Sequence, residues 1–291
     1  GEIAQGIFIN FKNIVDSFHP KLPFGIGQTG KAFRNEITAG KFTFRTLEFD
    51  LMEFEYFFDP KKQNWKELFE YWKNEINDFG KSLGINQNQL SWRPHEEFEL
   101  SHYSKRTEDL EYKFPWGSKE MFALAYRTDF DLRNHQEKSG KTLSYIYQDG
   151  SKLIPHVIEP TFGLSRAVTV IMMDAYHEEK INEKSRVVLK LAKHLAPVKA
   201  SVFALQKDEK LQDLAHNIYK DLKQTLAVEY QDSGNIGKMY RRQDEIGTPY
   251  CITVDYDSLE DKKVTVRDRD TMEQERVAIE GLEDYFGERL R

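Results

Sequence analysis

The residues best suited to chemistry lie between positions 33 and 58. If residues 44–58 (FRTLEFDLMEFEYFF) form a strand, alternation puts Arg45, Phe49 and Glu53 on one face. Arg34 and Glu36 share a face of the preceding stretch, Phe33-Arg34-Asn35-Glu36. A hairpin would bring both sets onto one surface holding two arginines, two carboxylates and an aromatic ring. Arginine forks grip phosphate oxygens bidentately. A phenylalanine offers a flat face to a heteroaromatic base, and a carboxylate accepts from an amino group. The same pattern also describes a solvated, salt-bridged sheet face.

A second set lies in Val157-Ile158-Glu159-Pro160-Thr161-Phe162-Gly163-Leu164-Ser165-Arg166. Glu159, Thr161 and Gly163 share one strand face, Gly163 permits close backbone approach, and Arg166 opens a helix. An ordinary strand-to-helix turn with a surface arginine would look alike. The eight histidines are scattered, with no HExxH and no i, i+4 pair, so no metal held by protein alone is expected. The single cysteine, Cys251, excludes an internal disulfide and reads as a small buried residue in a strand.

The elements that must position these residues follow from periodicity. Residues 7–18 repeat apolar side chains at helical spacing, and Pro20 and Pro23 stop the helix. Residues 30–58 read as two long strands around a polar turn at 38–41. Residues 64–80 form an amphipathic helix ended by Gly80. Residues 104–136 mix strands with charged turns, and 137–151 suggest a hairpin turning at Asp149-Gly150. A strand at 153–159 runs into a helix near Ser165 that continues to about Tyr176. Past Pro197 the pattern becomes strand 198–205, helix 208–226, strand 227–230, helix 235–246, strands 250–256 and 263–267, and helix 274–290. That alternation indicates a layered α/β domain.

The chain has 291 residues, enough for two domains, and a net charge of −6. Residues 196–291 hold 15 Lys and Arg against 20 Asp and Glu, so bulk charge gives no support for nucleic-acid binding. No apolar run is long enough for a membrane span, and the start has no signal-peptide pattern. A reducing cytoplasm and no membrane are the expectation.

With these residues in place, a family resemblance emerges. Phe33-Arg34-Asn35-Glu36, a loop, then Arg45 and Phe49 resemble motif 2 of class II aminoacyl-tRNA synthetases. The longer runs GQTGKAFRNEIT and EFDLMEFEYF resemble the glycyl members. The run from Val157 to Arg166 resembles motif 3, with Thr161 where serine is usual. Glu2-Ile3-Ala4-Gln5-Gly6, residues 102–112 with Phe114-Pro115-x-Gly117, and residues 120–132 resemble further segments of the same family. Residues 234–256 and 264–274 resemble its anticodon-binding domain.

The resemblance implies an α+β fold: a class II antiparallel sheet flanked by helices over 1–195, then an α/β anticodon-binding domain over 196–291. It implies ATP and Mg²⁺, with Arg34 and Arg166 catalytic and Arg34, Glu36, Arg45, Phe49, Glu120 and Arg166 binding ATP, the magnesium lying near Glu120. Glycine would meet Glu2, Glu53, Arg127, Glu159 and Thr161: carboxylates on its ammonium, Arg127 on its carboxylate. Arg241, Arg242, Arg267 and Arg269 would contact tRNA. The implied function is ligation of glycine to its tRNA by a protein that is a homodimer at full length. The alternative is a catalytically inactive nucleic-acid-binding accessory protein of the same fold. The family's motif 1 segment is not in this sequence, and Ile3, Leu47, Ala123 and Thr161 depart from the family pattern.

Overall fold

The computed structural model describes residues 1–181 and 183–290. Arg291, the last residue of the expected second domain, lies outside the described residues. The chain separates into two compact units, Gly1–Ile171 and Met172–Arg291.

The first unit runs α1 (Ala4–Phe18), β1 (Phe24–Phe33), β2 (Glu48–Phe58), α2 (Trp65–Ser82), β3 (Leu90–Pro94), β4 (Arg106–Phe114), β5 (Gly117–Thr128), α3 (Phe130–Ser139), β6 (Tyr145–Ile146), β7 (Lys152–Leu153), β8 (His156–Gly163) and α4 (Leu164–Ala175). Six strands form one antiparallel sheet in the order β1-β2-β8-β5-β4-β3.

Ala4, Ile7, Phe8 and Phe11 recur at helical spacing on α1 and cluster with Phe57, Leu132 and Val157. The α2 helix is capped by Asn64, which accepts from the Lys66 N–H, and its Phe79 meets Phe122 and Phe162. Odd-numbered residues of β2 and β8 therefore face α1 and even-numbered ones face α2. The odd face is apolar where α1 covers it and carries Glu53, Glu55 and Glu159 beside that cover.

The structure differs from the sequence reading in three places here. The strands end at Phe33 and resume at Glu48, so Arg34, Glu36 and Arg45 sit in the connecting loop rather than on strands. Lys41 and Phe42 take positive φ (60° and 57°), which no strand accommodates. Residues 130–139 are helical, ended by Gly140 at φ 67°. The 137–151 hairpin reduces to β6 and β7.

The second unit continues with β9 (Tyr176–Ile181), β10 (Lys184–Leu189), β11 (Ala200–Ala204), α5 (Glu209–Leu222), β12 (Val228–Gln231), α6 (Ile236–Ile246), β13 (Tyr250–Val254), α7 (Tyr256–Asp261), β14 (Lys263–Asp268), β15 (Gln274–Ala278) and α8 (Leu282–Arg289). The five-stranded sheet has the order β12-β11-β13-β14-β15, with β11 parallel to both neighbours. Both β11 and β13 are buried throughout, as strands covered on two faces are. Leu211, Ala215, Ile218 and Leu222 of α5 join the core on one face. Met239 of α6 packs with Phe203 and Cys251 on the other.

Residues 274–278 form a strand, not the start of a helix. Val277 pairs with Val264 in register, and tertiary pairing overrides the local helical pattern. The hairpin β9–β10 packs against α6, which is why the compact unit begins upstream of Pro197.

Candidate functional site

The loop between β1 and β2 folds back on itself. Its base is tied by the Arg34 N–H donating to the Leu47 carbonyl at 3.0 Å, and its tip by a Gly40–Arg45 bridge. Thr43 anchors it to α4, donating to the Ser165 carbonyl at 2.5 Å and lying 2.8 Å from the Thr169 hydroxyl. The β8 strand delivers Thr161 and Gly163 beside it. A Cβ on Gly163 would stand 3.3 Å from the Met121 carbonyl oxygen, so a side chain there would crowd the neighbouring backbone by a few tenths of an ångström.

The result is a cleft with about 500 Å³ of atom-free space, lined by Arg34, Glu36, Arg45, Phe49, Glu120 and Arg166 along with Thr161. All six residues expected to bind the nucleotide are thus brought together. Each arginine pairs with a glutamate: Arg34 with Glu2 at 3.0 Å, Arg45 with Glu36 at 3.8 Å, and Arg166 with Glu120 at 3.1 Å. The Arg34 guanidinium lies 5.1 Å from the Phe49 ring centre. Arg34 and Arg45 are exposed, and such solvated pairs are weak. An incoming polyanion can therefore take the guanidinium groups from their glutamates at small cost.

Beside the cleft the odd sheet face is acidic and dry. Thr161 pairs in register with Glu53 on β2 and with Ala123 on β5. Glu53 is buried, and its Oε2 meets no donor. Burial first, and Glu159 second, push its pKa up to about 8. Glu159 is also raised, again mainly by burial. Arg127 holds Glu159 through Nη1, 2.9 Å from both carboxylate oxygens, and grips Asp131 through Nε at 2.8 Å and Nη2 at 2.9 Å. The Tyr103 ring covers the guanidinium at 3.8 Å. Burial works to lower the Arg127 pKa, but Glu159 and Asp131 outweigh it and hold it raised.

Arg127 was expected to meet a substrate carboxylate. Its nitrogens are engaged by Asp131 and Glu159, and it is buried. In this structure it braces Asp131 and Glu159.

In the second unit, two of the arginines expected to meet tRNA are engaged within the protein. Arg267 donates bidentately to Asp244 at 2.9 and 3.2 Å, and Arg186 donates to the same carboxylate at 2.9 Å. Arg269 donates to the carbonyls of Gly247 and Leu191, each at 2.8 Å, and to Asp270. Both Arg267 and Arg269 are buried. They tie strand ends to neighbouring segments and are not presented to RNA. Arg241 and Arg242 are exposed on α6. Arg242 donates to the Ser233 hydroxyl at 3.2 Å, whereas Arg241 has no ion-pair partner among the described residues.

A family model described as the anticodon binding domain matches residues 196–289. Glycine–tRNA ligase of Caldanaerobacter subterraneus subsp. tengcongensis is 50% identical over 291 residues, all of this chain and 62% of the relative. That of Alkaliphilus oremlandii is 51% identical over 294 residues, again 62% of its length, and that of Bacillus cereus is 48% identical over 63% of its length. The chain is similar along its whole length to glycine–tRNA ligases. It spans about 62% of the length of the first of these. Among the described residues no helix is long and apolar enough to cross a membrane.

Some lining residues of the cleft escaped the sequence reading. Thr43, Phe44, Thr46 and Ser165 all face it. Phe44 receives the Arg166 guanidinium at 4.8 Å and meets Phe114 edge-on at 5.0 Å. The Ser165 hydroxyl accepts from the Asp50 N–H at 2.9 Å. Nothing local marks these positions. Glu55 was findable, because it shares the period-two face of Glu53.

Proposed function

We propose that this chain carries the amino-acid-activating centre and the tRNA-reading module of a glycine–tRNA ligase. The observation that carries this reading is one cleft holding Arg34, Glu36, Arg45, Phe49, Glu120 and Arg166 against a buried acidic patch at Glu53 and Glu159.

In this reading ATP is a substrate. Phe49 stacks on adenine and Glu36 accepts from its amino group. Arg34 holds the α-phosphate, and Arg45 and Arg166 hold the outer phosphates. Glu120, joined to Arg166, stands where a nucleotide-bound Mg²⁺ would find a carboxylate oxygen, and magnesium suits such shared phosphate–carboxylate sites. Glu2 and Glu53 attract the glycine ammonium, with Glu159 behind them. Thr161 and Ala123 leave little space for a side chain, and a pocket rejects larger substrates by clash.

The glycine carboxylate attacks the α-phosphorus and pyrophosphate departs. The enzyme contributes position and charge neutralisation, with no covalent nucleophile. A terminal ribose hydroxyl of tRNA then takes the glycyl group and AMP leaves. Arg241 and Arg242 supply exposed cations for RNA. The homodimer and the cytoplasmic setting belong to the same reading.

The test is glycine-dependent ATP–pyrophosphate exchange, with alanine and serine as competitors. Exchange with glycine alone is the expected result. A folded, full-length protein that shows none would replace this reading with a nucleic-acid-binding accessory role.

A further inference from the structure

The face that carries Glu53 continues to Glu55, which the proposed chemistry does not use. Glu55 is completely buried, and neither of its oxygens meets a donor. The charged groups facing it are Glu159 from β8, Arg127 from β5 and Glu53 on its own strand. Asp131, at the start of α3, occupies the other side of Arg127. Glu55, Glu159 and Asp131 therefore crowd one guanidinium, with Glu53 beside them between Arg127 and Arg34, and ionising all of these carboxyls would leave uncompensated charge in a dry interior.

The β2–β8 register, with Glu53 opposite Thr161 and Tyr56 opposite Ile158, sets Glu55 directly across from Glu159 on the same buried sheet face, where facing side chains meet. Two carboxylates are acceptors only, so this contact becomes a hydrogen bond only if one partner holds a proton. Glu159 accepts from Arg127 at both oxygens, which favours its charged form. Glu55 receives no such donor, so the proton belongs on Glu55.

We propose that Glu55 is a constitutively protonated positioning residue, whose carboxylic O–H donates to Glu159 and fixes that carboxylate toward a cationic amino group. The identity of that group as the glycine ammonium rests on the function proposed above; the protonated pair does not.

Infrared difference spectroscopy of the whole chain against Glu55→Gln, at about pH 9, tests the pair directly, because ordinary carboxyls and Glu53 are ionised there. The expected result is a carboxylic-acid C=O band in the parent that disappears in Glu55→Gln. No band in the parent, or a band that survives the substitution, overturns the proposal. Glycine-dependent thermal stabilisation in the presence of ATP supplies the second readout. Glu55→Gln, which still donates, retains the response, whereas Glu55→Leu weakens glycine binding by about 10–100-fold. Glu55→Gln failing as badly as Glu159→Gln overturns the positioning role. A chain that shows the band but never responds to glycine keeps the protonated pair and sinks the glycine reading alone.

Discussion

Asp244→Asn separates a structural from an RNA-binding role for the arginines of the second unit. Asp244 is buried and neutralises two buried cations at once, Arg186 and Arg267. Arg186 keeps a second partner, Glu179, at 2.7 Å. Arg267 keeps the Tyr240 ring, 4.9 Å away, and no other ion-pair partner among the described residues. Asparagine can still accept one hydrogen bond, but it leaves one buried positive charge without a counter-ion. Breaking a buried ion pair from one side costs about 3–5 kcal/mol, and the retained acceptor points to the lower end. With a urea slope of about 1–2 kcal/mol per molar for a unit of this size, the midpoint should fall by roughly 2 M. All four tryptophans, at 65, 72, 92 and 116, lie in the first unit. Far-UV circular dichroism therefore follows the loss, with tryptophan fluorescence as the internal reference. Adding Arg267→Met should recover part of the stability, because it removes the orphaned charge. A loss under about 1 kcal/mol, or no coupling between the two changes, would refute the reasoning.

Three further outcomes are expected. Arg166→Ala should lower glycine-dependent exchange by about 10²–10³-fold, with circular dichroism unchanged, since it removes a preorganised cation from the cleft. Glycine affinity should rise as pH passes through about 8, because Glu53 must lose its proton to attract an ammonium. The linked stability runs the other way: a carboxyl with a raised folded pKa costs stability as pH climbs from its ordinary value toward 8, and Glu53→Gln should flatten both profiles in calorimetry and unfolding. Arg241→Ala should weaken tRNA binding and reduce the salt slope by about 1, with the unfolding midpoint unmoved.

Elements whose burial is local were legible in the sequence. The helices at α1, α2 and α5 announce themselves through apolar residues at helical spacing, and the strand-to-helix step at Gly163 through its motif. The six residues expected to meet a nucleotide do line one cleft, although the reason offered for their meeting was only half right. Arg34, Glu36 and Arg45 converge because the loop folds back and is pinned by Thr43 to α4, not because they share strand faces. The α7 turn was missed, yet its capping box at Asp255 and Ser258 was present as a local signal.

What periodicity does not encode is what covers a face. Alternation places Glu53 and Glu55 on one side of β2, but it cannot say that this side is dry, since the cover comes from elements far along the chain. The run Arg267-Asp268-Arg269-Asp270 shows the same limit more sharply. Alternating charge reads as a solvated surface. Its burial depends on Asp244 on another helix and on the carbonyls of Leu191 and Gly247. An arginine that looks available to RNA in one dimension has already spent its donors in three. In this chain, then, a charged motif becomes a candidate contact only where its donors remain open to solvent, as those of Arg241 do.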